Sequence, residues 1–192
     1  MKIHKTKFIL ASQSPRRSKL LTQIGIIFKT HPSNFVEDLS INLPPANLSM
    51  NFADNKAKTV AKKYKSSWVI GADTIVSLKG NIFGKPTSFD EGNEMLKALS
   101  DKTHDVFTGV SIQNIKKKIN ITFNERTKVT LKKLTDEDIS FYLKNHKPYD
   151  KSGSYGIQEY FSVFVKKIDG CYFNIVGLPL HKLYLKLKSI DE

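Results

Sequence analysis

The chain has 192 residues with a hydrophobic fraction of 40%, enough to bury one sizeable core, and residues 1–192 read as a single domain. Its 31 Lys and Arg against 18 Asp and Glu give a formal net charge of +13, which points to a polyanionic partner, either nucleic acid or a phosphorylated small molecule. A single cysteine, Cys171, excludes an internal disulfide and a cysteine-rich zinc site, and reads as a core residue.

Met1 to Lys7 is positive like the start of a signal peptide, but the apolar run Phe8-Ile9-Leu10-Ala11 is too short to be its hydrophobic region, so a cytoplasmic protein is expected. No apolar run approaches the roughly 20 residues of a membrane helix, and no membrane partner is expected. Lys7 to Ala11 reads as a buried strand. Ser14 is then placed to cap a helix with Pro15 at its first position, Leu20, Leu21 and Ile24 on its apolar face, and Gly25 at its end. A longer helix follows Pro44-Pro45, with Leu48, Phe52, Ala53, Ala57, Val60, Ala61 and Tyr64 along one stripe that Lys56 interrupts.

Trp68 to Leu78 carries a strand signal broken at Gly71-Ala72-Asp73-Thr74, and Lys79-Gly80-Asn81 turns it back through Ile82-Phe83. Ser88 to Leu99 is a capped amphipathic helix. Val106 to Ile112 and Ile119 to Leu131 form a long antiparallel pair around Asn114 to Lys118, and Thr135-Asp136-Glu137-Asp138 opens a helix with acids at its positive end. Short strands over Val163 to Ile168 and Tyr172 to Val176 and a last helix from about Leu178 complete an α/β chain with a mixed, partly hairpin-built sheet.

Functional residues tend to stand where local rules are broken without local compensation. In Ser12-Gln13-Ser14-Pro15-Arg16-Arg17 two arginines occupy the first turn of a helix whose dipole disfavours cations there. Either an anion resolves the conflict, with the helix N–H groups, the Ser12 and Ser14 hydroxyls and two guanidiniums forming a phosphate cradle, or this is a solvated surface turn. Asp73 sits inside the apolar pattern Val69 to Val76, where a carboxylate is costly unless paired. It either serves a divalent cation or an attacking water, or caps a bulge. Glu37 is a loop acid that gains meaning only as a second oxygen ligand. Lys56 on the stripe and Lys85 in Gly84-Lys85-Pro86 read either as anion ligands or as a snorkelling side chain and a solvated loop.

No phosphate-loop or dinucleotide fingerprint is present, and His4, His31, His104, His146 and His181 form no metal pair in sequence. The lysines are scattered, as in Lys116-Lys117-Lys118 and Lys132-Lys133, without interleaved aromatics, so nucleic acid is not the expected partner.

Taken together, Leu10-Ala11-Ser12-Gln13-Ser14-Pro15-Arg16-Arg17, Gly71-Ala72-Asp73-Thr74-Ile75-Val76, Gly84-Lys85-Pro86, Leu134 to Ile139, Asp150 to Gln158 and Val176-Gly177-Leu178-Pro179-Leu180 resemble, in order and spacing, the Maf (septum formation) family of nucleoside triphosphate pyrophosphatases. The resemblance implies a Maf/inosine triphosphatase-like α/β fold, an extended mixed sheet with flanking helices forming two lobes around a deep cleft. It also implies a nucleoside triphosphate substrate, dependence on a divalent metal cation (magnesium or manganese) and a homodimer. By position, Asp73 corresponds to the family's water-activating acid and, with Glu37, to its metal site. Ser12, Arg16, Arg17, Lys56 and Lys85 correspond to its phosphate site. Arg16, Thr74 and Gln158 match the subgroup that resembles dTTP/UTP pyrophosphatases. Two departures are Glu159-Tyr160-Phe161 after the glutamine, where small residues are usual, and Asp38 beside Glu37. The rival readings are a septum regulator with weak catalysis and a basic nucleic-acid-binding protein.

Overall fold

In the computed structural model residues 6–190 are described; Met1 to Lys5, weighed above as a leader, and the last two residues lie outside them. Strand β1 (Lys7–Leu10) is flanked in parallel by β2 (Ile27–Thr30) and β3 (Trp68–Leu78). On the far side of β3, β5 (Thr103–Asn114), β6 (Ile119–Leu131) and β7 (Val165–Asp169) follow in antiparallel order, and β4 (Asn81–Phe83) returns along the near edge of β3. This seven-stranded mixed sheet with flanking helices is the α/β architecture the sequence leads one to expect.

One helix, α2 (Pro45–Ala61), covers one face of the sheet, because its apolar stripe meets the alternate β3 residues Val69 and Ile75. On the opposite face Ile70, Ala72 and Val76 enter the main core with Leu20 and Leu21 of α1 (Pro15–Gln23). The same core takes in residues of α3 (Phe89–Leu99), α4 (Asp136–His146) and α6 (Leu180–Ser189). Caps fix two of these helices. Ser88 Oγ accepts from the Glu91 N–H at 3.1 Å, and Thr135 and Asp138 form a reciprocal capping box at the start of α4. Ser14 occupies the cap position of α1, but its hydroxyl makes no cap bond.

Strand β3 departs from expectation: it runs unbroken through Gly71-Ala72-Asp73-Thr74. Glycine weakens a strand in isolation, yet here it admits the helix. A Cβ on Gly71 would lie 2.4 Å from the Ala53 carbonyl oxygen, and one on Gly109, the register partner of Asp73 on β5, 2.2 Å from that of Ser49. The helix α2 therefore crosses the sheet at backbone contact over these two glycines. Beyond Ile70 β1 ends, and β4 pairs only from Val76, so residues 71–75 have β5 along one edge and, among the described residues, no strand along the other.

Three further readings are corrected. Tyr172–Val176 is a short helix, α5, not a strand; a five-residue apolar run carries too little periodicity to choose, and β7 already forms the edge beside β6. Gly177, at φ +122°, ends it. Tyr160–Phe164 forms a 3-10 turn, so the strand expected from Val163 begins at Val165. Cys171, expected in the core, is only half-buried.

Candidate active site

Asp73 and Lys56, each a misfit in its own element, face one another across the α2–β3 interface. Asp73 is 5% exposed and Lys56 9% exposed, and Lys56 Nζ donates to Asp73 Oδ1 at 2.6 Å. The same ammonium donates to Glu37 Oε1 at 2.6 Å, and Lys85 Nζ stands 3.4 Å from Glu37 Oε2. Lys56 is thus paired with anions, which are carboxylates of this chain. Burial pushes the Asp73 carboxyl above the ordinary carboxylate range, against the pull of the Lys56 ammonium. Burial would also raise Glu37, but Lys56 and Lys85 outweigh it and hold that carboxyl below its usual range. Asp38 points elsewhere: its Oδ1 accepts from the backbone and hydroxyl of Ser40.

The first turn of α1 supplies the facing wall. Arg17 is half-buried and all its contacts are to neutral acceptors: Nε donates to the Gly177 carbonyl at 2.9 Å, Nη1 to Ser12 Oγ at 3.2 Å and Nη2 to Thr74 Oγ1 at 3.1 Å. Among the described residues it makes no ion pair, though the Asp73 charge, and less strongly that of Glu37, acts on this guanidinium at the helix N-terminus. Arg16 behaves differently, donating through Nη1 to Asp150 Oδ2 and through Nη2 to the Asp150 carbonyl at 3.2 Å. Burial works against the Asp150 charge, yet Lys151 and Arg16 hold its carboxyl at about 2.

These groups line one cavity of about 430 Å³ beside the unpaired edge of β3. Ser12, Ser14, Arg16 and Arg17 contribute one wall, Glu37, Lys56 and Lys85 another, Asp73 and Thr74 the floor, and Gln158 the rim. The structure thus brings together every residue singled out in the sequence. Gln158 is exposed, and its amide makes no hydrogen bond to a described residue. Asp150, Lys151, Ser152 and Tyr155 also line the cavity; they stand in the Asp150 to Gln158 segment that carries the family resemblance, but the resemblance assigns a role only to Gln158 of that segment. Ser152 Oγ donates to the Thr74 carbonyl at 3.0 Å, serving a strand group at the opening. The signal that could have found them was the Asp150-Lys151 pair beside Gly153 and Gly156, a charged dipeptide between residues that permit close backbone approach.

Among the described residues no three His, Cys, Asp or Glu side chains cluster as a metal centre, and no helix is long and apolar enough to cross a membrane.

A family profile described as Maf-like protein matches residues 7–190. The chain is 45% identical over 185 residues to a dTTP/UTP pyrophosphatase of Bacillus cereus, covering 96% of each chain. It is 43% identical over 183 residues to a dTTP/UTP pyrophosphatase of Carboxydothermus hydrogenoformans, covering 95% of this chain and 98% of that one. A solved structure, the Ham1 protein of Staphylococcus aureus, superposes with a TM-score of 0.44 at 12% identity over 66% of this chain and 72% of that one. With the profile spanning nearly all of its length and relatives of this identity aligned end to end, the chain belongs to the Maf family.

Proposed function

We propose that the protein hydrolyses dTTP and UTP between the α and β phosphates, releasing the nucleoside monophosphate and pyrophosphate. The observation that carries this reading is Arg17, a recessed guanidinium at the N-terminus of α1 whose hydrogen bonds go only to neutral acceptors. Such a charge is matched by phosphate oxygens. The names of the relatives support the choice of base and of bond.

In this reading a water attacks the α phosphorus in line. Asp73, whose carboxyl burial raises above the ordinary carboxylate range, takes the water proton as the new P–O bond forms, and the bond to the bridging oxygen breaks to release pyrophosphate. Arg16, Arg17, Lys56 and Lys85 balance the charge on the leaving group, with the Ser12 and Ser14 hydroxyls as donors. Asp73 and Glu37 fit a hard divalent cation, magnesium or manganese, since their oxygens already converge on one positive centre, the Lys56 ammonium. Two carboxylates with waters and substrate oxygens suffice for magnesium, and the ion, when bound, supplies charge neutralisation at the phosphates.

Gln158 carries the base reading. An amide both donates and accepts, matching the O4 and N3–H edge shared by uracil and thymine, with Thr74 beside Asp73 and Arg16 opposite completing the set. The test is a panel of triphosphates with magnesium or manganese, products resolved. Monophosphate plus pyrophosphate, with dTTP and UTP exceeding CTP and 7-methyl-GTP in kcat/KM and Gln158→Glu eroding that order, is expected. Diphosphate plus phosphate as primary products overturns the bond assignment, and 7-methyl-GTP or CTP ranked first overturns the base assignment.

A further inference from the structure

Only two lysines among the described residues are buried, Lys56 and Lys151, and the proposed reaction uses only the first. Lys151 is 9% exposed. Its stem runs across Gly156, where an added Cβ would meet Lys151 Cε at 2.7 Å. Its ammonium lies 2.7 Å from Asp150 Oδ1 and 3.5 Å from Glu159 Oε2. The other oxygen of Asp150 holds Arg16. Arg16, Asp150, Lys151 and Glu159 therefore form a continuous run of alternating charge from the first turn of α1 to the residue after Gln158.

Gln158 lies inside that run. It falls between Gly156, which rests on the lysine stem, and Glu159, which faces the lysine ammonium. The Glu159 N–H donates to the Gly156 carbonyl at 3.2 Å, and the Gly156 N–H to Tyr142 Oη at 3.2 Å. Because the Gln158 amide has no partner of its own among the described residues, its place is set through this backbone. Lys151 is the buried member of these pairs, Asp150 being exposed; a charge pair with a buried member is weak evidence for stability, and its best-attested use is to fix one arrangement against others. A site that selects by hydrogen bonds needs such fixing, since small misplacements of a recognition group are costly.

We infer that Asp150 and Lys151 are positioning residues that set base selection by fixing Gln158 relative to Arg16. The inference rests on the base-reading role proposed above for those two side chains, and it places selectivity in a charged network under the rim as well as in the residues that touch the base.

The test measures equilibrium binding to the full chain of α,β-methylene analogues of dTTP, UTP, CTP and GTP and of inorganic tripolyphosphate, which has no base. In Asp150→Asn and in Lys151→Met, which keeps the stem over Gly156, the affinity ratio between the best and worst base is expected to fall at least fivefold. Tripolyphosphate binding is expected to stay within about threefold of the unmodified protein. An unchanged ratio in a folded variant overturns the inference, as does a parallel loss of tripolyphosphate and all nucleotides, the mark of general collapse. So does an unmodified protein that does not discriminate among bases. If the unmodified protein ranks another base first but the variants still flatten its order, the pyrimidine reading fails and the network stands. Should Lys151→Met not fold, Asp150→Asn decides alone, its side chain being 55% exposed.

Discussion

The ammonium of Lys56 lies 2.6 Å from Asp73 Oδ1 although one residue interrupts the apolar stripe of a helix and the other the interior of a strand. Each offsets the desolvation of the other, so removing Lys56 leaves a nearly buried carboxylate without its partner, whereas removing Asp73 leaves Lys56 with Glu37 alone. Lys56→Met is expected to lower the unfolding free energy by about 2–4 kcal/mol. Lys56→Met/Asp73→Asn should be more stable than the sum of the single variants indicates. Urea unfolding of the four proteins measures the coupling, and additive losses would show that Glu37 alone compensates Lys56.

Asp73→Asn removes the proposed base without changing side-chain volume. Turnover should fall by about 10²- to 10⁴-fold with secondary structure retained, as read by pyrophosphate release and circular dichroism. Because burial raises the Asp73 carboxyl, the ionised form gains as pH rises through a value above the ordinary carboxylate figure of about 3.9. The acid limb of kcat/KM for the unmodified protein should therefore lie above that figure and be absent from the residual activity of the variant.

His104 tests burial in the opposite sense. It is 2% exposed, its Nε2 is 2.7 Å from Tyr155 Oη, and burial lowers its pKa to about 4 despite the nearby Asp105 charge. The unfolded chain binds a proton near 6.5, so this group's contribution is fully present above about 6.5 and lost as pH falls toward about 4, on the order of 3 kcal/mol in all. His104→Gln, which cannot titrate but offers Tyr155 a polar partner, should show a shallower loss of melting temperature over that interval. Parallel pH curves for the two proteins would mean that His104 is protonated in the fold.

Gly71→Ala probes how the site is held. Its new Cβ would meet the backbone of α2, so the helix must shift or the variant must unfold more readily. A loss of about 2–3 kcal/mol, comparable to other overpacked cores, is expected. Turnover per folded molecule should also fall, since Lys56 moves with the helix. Normal stability would show that α2 has slack over the sheet.

The mixed sheet, most of its strands and the capped helices were legible because each follows a local period or cap. The apparent break in β3 was not real, because what admits Gly71 and Asp73 to a strand lies on α2; Lys56 precedes Asp73 by 17 residues. The same displacement explains why the catalytic candidates could be read: a residue compensated from far away looks like an error in its own element. Asp150 and Lys151 broke no local rule. A charged pair in a loop looks solvated; the burial of Lys151 and the contact of Asp150 with Arg16, 134 residues away in sequence, come from the fold.

The opening at residues 71–75 of β3 is also a sheet edge without a strand partner, met by the Ser152 hydroxyl at the Thr74 carbonyl, and such edges are where strands of other chains can add. It is closed in line at both ends, by β1 up to Ile70 and by β4 from Val76. An intruding strand would have about five residues, or about 17 Å, before meeting a strand already in place. Shortness guards this edge against aggregation, where other proteins use proline or charge, and it leaves the backbone beside Asp73 open to something as compact as a hydrated anion.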